Sequence, residues 1–203
     1  WTALYQSSGF MSFISKFKEA HERLQQCLDF SLTANNPIGI AYSKGMASMF
    51  YQYEGKMNPA YEFAHEALTL AQETGDSFVK GMAYACYGGA CYQKGLFDEA
   101  ATYLLEFASS YEKSAPLSWM GWAYGHLGPI YFDLRKYNDA VDCYKKIILI
   151  WGNCSLMPSI IKYFQSCLMR AKALRHDQDI ELKELFTYYE TYKFTLFKGG
   201  TAR

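Results

Sequence analysis

GMAYACYGGACYQKGLFDEAATYLLEFASSYEKS, residues 81–114, holds most of one repeat of this chain and decides its fold. Apolar residues recur at helical spacing on both sides of Gly95, so the stretch predicts two helices joined by a tight turn. Its second half carries Ala100, and Ala20, Ala60 and Ala140 stand in forty-residue steps around it. Each alanine lies three residues after a bulky apolar side chain: Phe17, Met57, Phe97 or Tyr137. Twelve before it come small residues, Ser8, Ser48, Gly88 and Gly128; nine before it come mostly large ones, Met11, Tyr51, Cys91 and Tyr131. Four and eight after it come Leu24/Leu28, Ala64/Leu68, Leu104/Ala108 and Tyr144/Ile148. A period shared by several columns marks a repeat array, in which each unit buries its apolar face against the next.

The joints agree with the period. Asn35-Asn36-Pro37, Thr74-Gly75-Asp76-Ser77, Ser114-Ala115-Pro116 and Met157-Pro158 are turn chemistry, which places the units at about 1–36, 37–76, 77–115, 116–157 and 158–198 of a single array. Residues 199–203 are expected to be a disordered tail. Gly75 can end one helix in the left-handed conformation, and Asp76 or Ser77 can cap the next. Inside the units, Asn58-Pro59, Asp98 and Asn138-Asp139 are expected to cap the second helices. Pro129 falls inside a helix, where it removes a backbone hydrogen bond, with Gly125 and Gly128 beside it to absorb a bend. In the fifth unit the period puts Asp177 in the bulky column and Ile180 in the alanine column, so two helices are expected there without a defined register.

Composition narrows the function. Half of the 203 residues are hydrophobic, enough for a core, and 20 basic residues balance 20 acidic ones. Without a basic stripe, nucleic-acid binding is not expected. The longest strongly apolar piece, 147–151, is far too short to cross a membrane. The six cysteines form no CxxC pair, and Cys27, Cys91 and Cys143 fall in or beside core columns, so reduced buried thiols in a cytoplasmic protein are expected. A start at Trp1 reads as a piece excised from a longer protein.

A small residue, an aromatic, glycine, another aromatic and alanine in this order, clearest in Gly88–Cys91–Gly95–Phe97–Ala100 and Gly128–Tyr131–Tyr137–Ala140, resembles the tetratricopeptide repeat (TPR). The forty-residue spacing, longer than the usual TPR length, is similar to the arrays of bacterial MalT-like signalling ATPases and transcription activators. The resemblance covers residues 1–156 well and 157–197 loosely. It implies an all-α fold, a right-handed superhelical α-solenoid of about five antiparallel helix pairs, with the first helix of each pair lining a concave face. Carried onto this sequence, that face presents Tyr5, Phe13, Tyr42, Met49, Tyr53, Met82, Tyr92, Gln93, Trp122, His126, Phe132 and Asp133, followed by Lys162, Met169 and Lys172. Such aromatic and methionine side chains suit an apolar peptide or partner domain. Some TPR proteins grip a terminal carboxylate with cationic and amide residues; the corresponding sites, Tyr5/Gly9, Gly45/Met49, Ala85/Gly89 and Gly125/Pro129, carry neither.

Catalysis is not expected. His21, His65, His126 and His176 are scattered one to a unit, with no metal-ligand spacing, and no cofactor or metal is implied. His21 and His65 read as solvated. Arg170, Lys172, Arg175 and His176 spread over half of a helix circumference and read as a solvated face. The favoured reading is a non-catalytic protein-interaction scaffold. The alternatives are a ligand-sensing region of a larger signalling ATPase or transcription regulator, and a self-association element that forms a homodimer through sticky terminal helices.

Overall fold

The computed structural model describes residues 7–8, 16–111, 117–153 and 158–176. Among them run eight helices: α1 (Phe17–Thr33), α2 (Pro37–Tyr53), α3 (Met57–Thr74), α4 (Ser77–Gln93), α5 (Phe97–Tyr111), α6 (Leu117–Asp133), α7 (Tyr137–Asn153) and α8 (Pro158–Leu174). Tyr5, Phe13, Met11, Cys154, the 114–116 joint, the second helix expected at 180–197, the expected tail and most of both sticky termini lie outside the described residues. The chain divides into two compact units, residues 1–110 and 111–203. In the first, α2 pairs with α3 and α4 with α5; in the second, α6 pairs with α7, against which α8 packs.

Local chemistry sets the helix ends. Asn36 accepts a hydrogen bond from the Gly39 N–H (3.1 Å) at the start of α2, with Pro37 in the first position, and Asp76 accepts one from the Val79 N–H (2.9 Å) at the start of α4. Gly75 ends α3 at φ 69°. Within each hairpin the first helix ends in one repeated motif. Gly55, Gly95 and Arg135 adopt φ of 73°, 78° and 58°, and the following N–H groups of Lys56, Leu96 and Lys136 reach back to the carbonyls of Tyr51, Cys91 and Tyr131 (2.9, 2.9 and 2.8 Å). This is the Schellman ending, which satisfies carbonyls the helix leaves over.

That ending displaces the caps expected from sequence. Asn58, Asp98 and Asn138 are each the second residue of their helix, not the residue before it. The flanking positions are Lys16, Lys56, Leu96 and Lys136, whose carbonyls accept from the N–H groups of Ala20, Ala60, Ala100 and Ala140 (2.9–3.1 Å). Lys16 and Lys56 make no side-chain cap. The carboxylates of Glu19, Asp98, Glu99 and Asp139 stand in first turns and act there on the positive end of the helix dipole.

All four column alanines are 0% exposed. The small column faces them in the hairpin: a Cβ on Gly88 would lie 2.7 Å from Leu104 Cγ and 3.2 Å from the Ala100 carbonyl oxygen, and one on Gly128 would collide with the Tyr144 ring. Ser8 and Ser48, which hold the same place in the first two units, are fully buried. A further buried column, Cys27, Ala67, Phe107 and Ile147, lies seven residues after the alanines. Its sizes vary so widely that no pattern marks it in the sequence. The bulky column is less buried than its apolar character suggests, with Met57 49% exposed.

Second-unit packing also gives the register of the fifth hairpin. α8 starts at Pro158, forty-one residues after Leu117, and its left-handed ending falls on His176 (φ 63°), forty-one after Arg135. Phe164 and Ala171 are buried and lie forty-one after the buried Ala123 and Ile130. One residue has been added between α7 and α8. The equivalents of Trp122, Pro129 and Phe132 are therefore Tyr163, Arg170 and Ala173, not Lys162, Met169 and Lys172. Around them Ala140, Val141, Tyr144, Ile147 and Trp151 form the core with Phe164 and Ala171.

Candidate functional site

At 100° per residue, Met49 and Tyr53 fall about 20° to either side of Tyr42 on α2, and Ile38 falls about 40° from it. Met82 and Gln93 repeat the pattern on α4, with Phe78 in the place of Ile38. Tyr42 is half-buried and stacks nearly parallel on Phe78, ring centroids 6.1 Å apart at 15°. Tyr53, Phe78 and Ile38 are 41%, 43% and 38% exposed. Met49 is half-buried, while Met82 is only 6% exposed and serves the core more than a surface. Ile38 and Phe78 were missed in the sequence because they stand in the first turn, where capping signals dominate.

Hydrogen bonds hold α2 and α4 together along this face. Gln52 Nε2 donates to the Cys86 carbonyl (3.0 Å) and to Ser48 Oγ (3.1 Å), and Gln93 Nε2 donates to the Gln52 carbonyl (3.3 Å). A Cβ on Gly89 would lie 2.5 Å from Gln52 Oε1 and would push the Gln52 amide aside. Among the described residues Gln93 Oε1, a buried acceptor, has no hydrogen-bond partner. Tyr92 packs on Phe97 (centroids 5.8 Å). Among the described residues of this unit, the positions that match a carboxylate clamp hold Gly45, Met49, Ala85 and Gly89.

In the second unit Trp122 is half-buried, stacked on His126 (6.0 Å, 24°) and edge-on to Trp151 (5.8 Å). Desolvation pushes the His126 imidazole down to about 4, so it is neutral near pH 7. Phe132 is half-buried, meets Tyr137 edge-on (5.6 Å) and carries the Arg170 guanidinium 4.6 Å from its ring centre. Asp133 is exposed. Arg175 donates to Asn138 Oδ1 (3.3 Å), so Arg170 and Arg175, read as part of a solvated face, have partners on the protein.

His21 is not solvated, contrary to its sequence reading. Its Nε2 is hydrogen-bonded with Glu54, and its ring stacks on Tyr51 (4.5 Å, 36°) and meets Phe50 edge-on (5.7 Å). Burial raises the Glu54 carboxyl, but hydrogen bonds from Lys56 and His21 outweigh it and hold the group below its ordinary value. His65 is exposed, as read. Among the described residues no group of three His, Cys, Asp or Glu is placed to hold a metal ion, and no helix is long and apolar enough to cross a membrane. Cys27, Cys86, Cys91, Cys143 and Cys167 are free thiols; burial pushes Cys86, Cys91 and Cys143 up to about 12.

No family model matches the sequence, and no curated protein matches it. Solved structures do match the fold. BtubC (BKLC) from P. vanneervenii aligns with a TM-score of 0.72 at 15% identity, over 92% of this chain and 75% of that one. RapI in its apo form aligns at 0.70 and 13% identity, over 95% and 69%. A protein described as a kinesin light chain of Podosopora anserina, with nearly identical TPR-like repeats, aligns at 0.66 and 16% identity, over 95% and 94%. Forty-residue helical hairpins, buried alanine crossings and these likenesses agree: the chain has the all-α, TPR-like solenoid fold.

Proposed function

We propose that this chain is a non-catalytic protein-interaction module that binds an apolar or aromatic peptide, or a partner domain, on the inner faces of its first helices. One observation carries the reading: Ile38, Tyr53 and Phe78 expose large apolar surface along a single face of two adjacent helices. Tyr and Trp side chains give wide contact at low entropic cost. In the second unit Trp122 and Phe132 offer similar chemistry, with the Arg170 guanidinium over the Phe132 ring. The partner is expected to engage through apolar side chains, not through a terminal carboxylate.

The test is a peptide selected on the immobilised chain from a random library, with its affinity then measured against Tyr53→Ser and Phe78→Ser. Each variant is expected to weaken binding by about 1–2 kcal/mol, the scale of an interface residue near a hot spot, with helix content unchanged. Selected peptides that bind both variants as tightly as the parent chain would place the site elsewhere.

A further inference from the structure

Arg170 stands on α8 where Pro129 stands on α6, and it lies in line with Tyr163: seven residues apart, the two fall within about 20° of each other around the helix. Its guanidinium lies 4.6 Å from the centre of the half-buried Phe132 ring on α6. Its charge also acts on the Tyr163 phenol and the Cys167 thiol, two turns and one turn before it. The side chain is exposed and, among the described residues, no carboxylate is paired with it. Attraction to a ring draws on the charge of a guanidinium and needs none of its five N–H donors. Little negative charge stands nearby to take them. α8 carries Lys162, Arg170 and Lys172 and no acid, and α6 carries one charged residue, Asp133, about 100° around the helix from Phe132.

We propose that Arg170, steadied on Phe132, receives the carboxylate of an aspartate or glutamate side chain from a partner lying on the inner face of α6 and α8. This rests on the reading of those helices as a partner-binding face, and it adds the charge the partner has to bring. Arginine suits the task because its fork matches a carboxylate with two parallel N–H···O bonds. A terminal carboxylate fits less well. The neighbouring places on α6, Gly125 and Pro129, offer it no side-chain donor, whereas a side chain from the middle of a peptide needs only the one fork.

The experiment titrates the full chain, at constant ionic strength, with three probes: acetyl-Ala-Glu-Ala-amide, acetyl-Ala-Gln-Ala-amide and acetyl-Ala-Gln-Ala with a free C-terminus. The Nε–H signals of Arg170 and of the exposed Arg135, a reference on the α6–α7 turn, are followed by NMR. With the glutamate probe the Arg170 signal is expected to saturate at a concentration about two- to fivefold lower than Arg135 needs, the range of an exposed ion pair. Phe132→Leu, or Phe132→Met if circular dichroism shows lost helix, is expected to bring Arg170 to the level of Arg135. Equal response of the two arginines in the parent chain, or a glutamine probe as effective as the glutamate one, overturns the site. The free C-terminus bound as tightly as the glutamate probe overturns the side-chain assignment, and a response unmoved in the Phe132 variant overturns the part given to the ring. Failure of the underlying partner-binding reading shows elsewhere, in selected peptides indifferent to Tyr53→Ser and Phe78→Ser, which leave Arg170 untouched.

Discussion

The α1–α2–α3 and α3–α4–α5 junctions are built on one forty-residue frame, yet they are filled in different ways. Ala20, Ala60 and Ala100 are equally buried, and the turns at Gly55 and Gly95 close with the same pair of hydrogen bonds. What differs is the position that supplies the aromatic ring: Tyr51, with Ala47 one turn before it, packs on His21 and Phe63 in one, and Tyr87, with Cys91 one turn after it, packs on Tyr61 and Tyr103 in the other. The repeat therefore sets where helices cross, and individual side chains set how the space between crossings is filled.

Tyr87→Ala is the hardest way to break this comparison. It should lower stability by about 3–5 kcal/mol, the cost of deleting a buried aromatic ring, and should also strand the Tyr61 hydroxyl. Urea denaturation measures the effect. A loss below about 1 kcal/mol would mean that the helices simply close the gap. Ala100→Leu attacks what the two junctions share. Overpacking a crossing in contact with Gly88 should cost about 1–3 kcal/mol by the same assay, and unchanged stability would remove the alanine column from the core.

A smaller effect is expected at the turns. Arg135 sits at φ 58° where Gly55 and Gly95 stand in the other hairpins, so Arg135→Gly should raise stability by about 1 kcal/mol; a lower melting temperature would show that the arginine side chain matters more than its backbone. Tyr87→Phe keeps the ring and should cost about 1 kcal/mol for the lost hydroxyl bonds. It also carries a pH signature. Desolvation first, then the bonds with Tyr61 and Glu99, raise the Tyr87 phenol above its ordinary value of 10.0. A group raised by folding stabilises fully below its unfolded value and loses that contribution as pH climbs past it. Stability of the parent chain should thus fall above pH 10, and Tyr87→Phe should fall less steeply. Superimposable alkaline profiles would show that Tyr87 does not ionise against the fold.

Much of the fold was legible because its signals are local. A helix turns by 100° per residue whatever surrounds it, so Ala100 and Gly88 could be assigned to one crossing from spacing alone. Punctuation was legible where a residue acts through its own backbone, as at Gly75 and Asp76. It misled at Asn58, Asp98 and Asn138, because the Schellman ending of the preceding helix shifted the start by two residues. The added residue before α8 was hidden as well, since alanine and small-residue columns fade there and only the burial of Phe164 and Ala171 reveals the step. Register alone puts Tyr42 and Trp122 at matching positions of their helices, while nothing in the spacing marks Ile38 and Phe78 as exposed.

The sequence by itself determined the period, the hairpins and the all-α class, since these follow from side-chain size at fixed helical intervals. Only the tertiary structure decided that His21 is held by Glu54, thirty-three residues away, that Met82 turns into the core, and that Tyr51 packs on His21 and Phe63 as Tyr87 packs on Tyr61 and Tyr103. The reason is physical. A crossing depends on two residues that repeat, but an interior space is bounded by side chains from three helices. Its shape is a property of the set and of no residue in it.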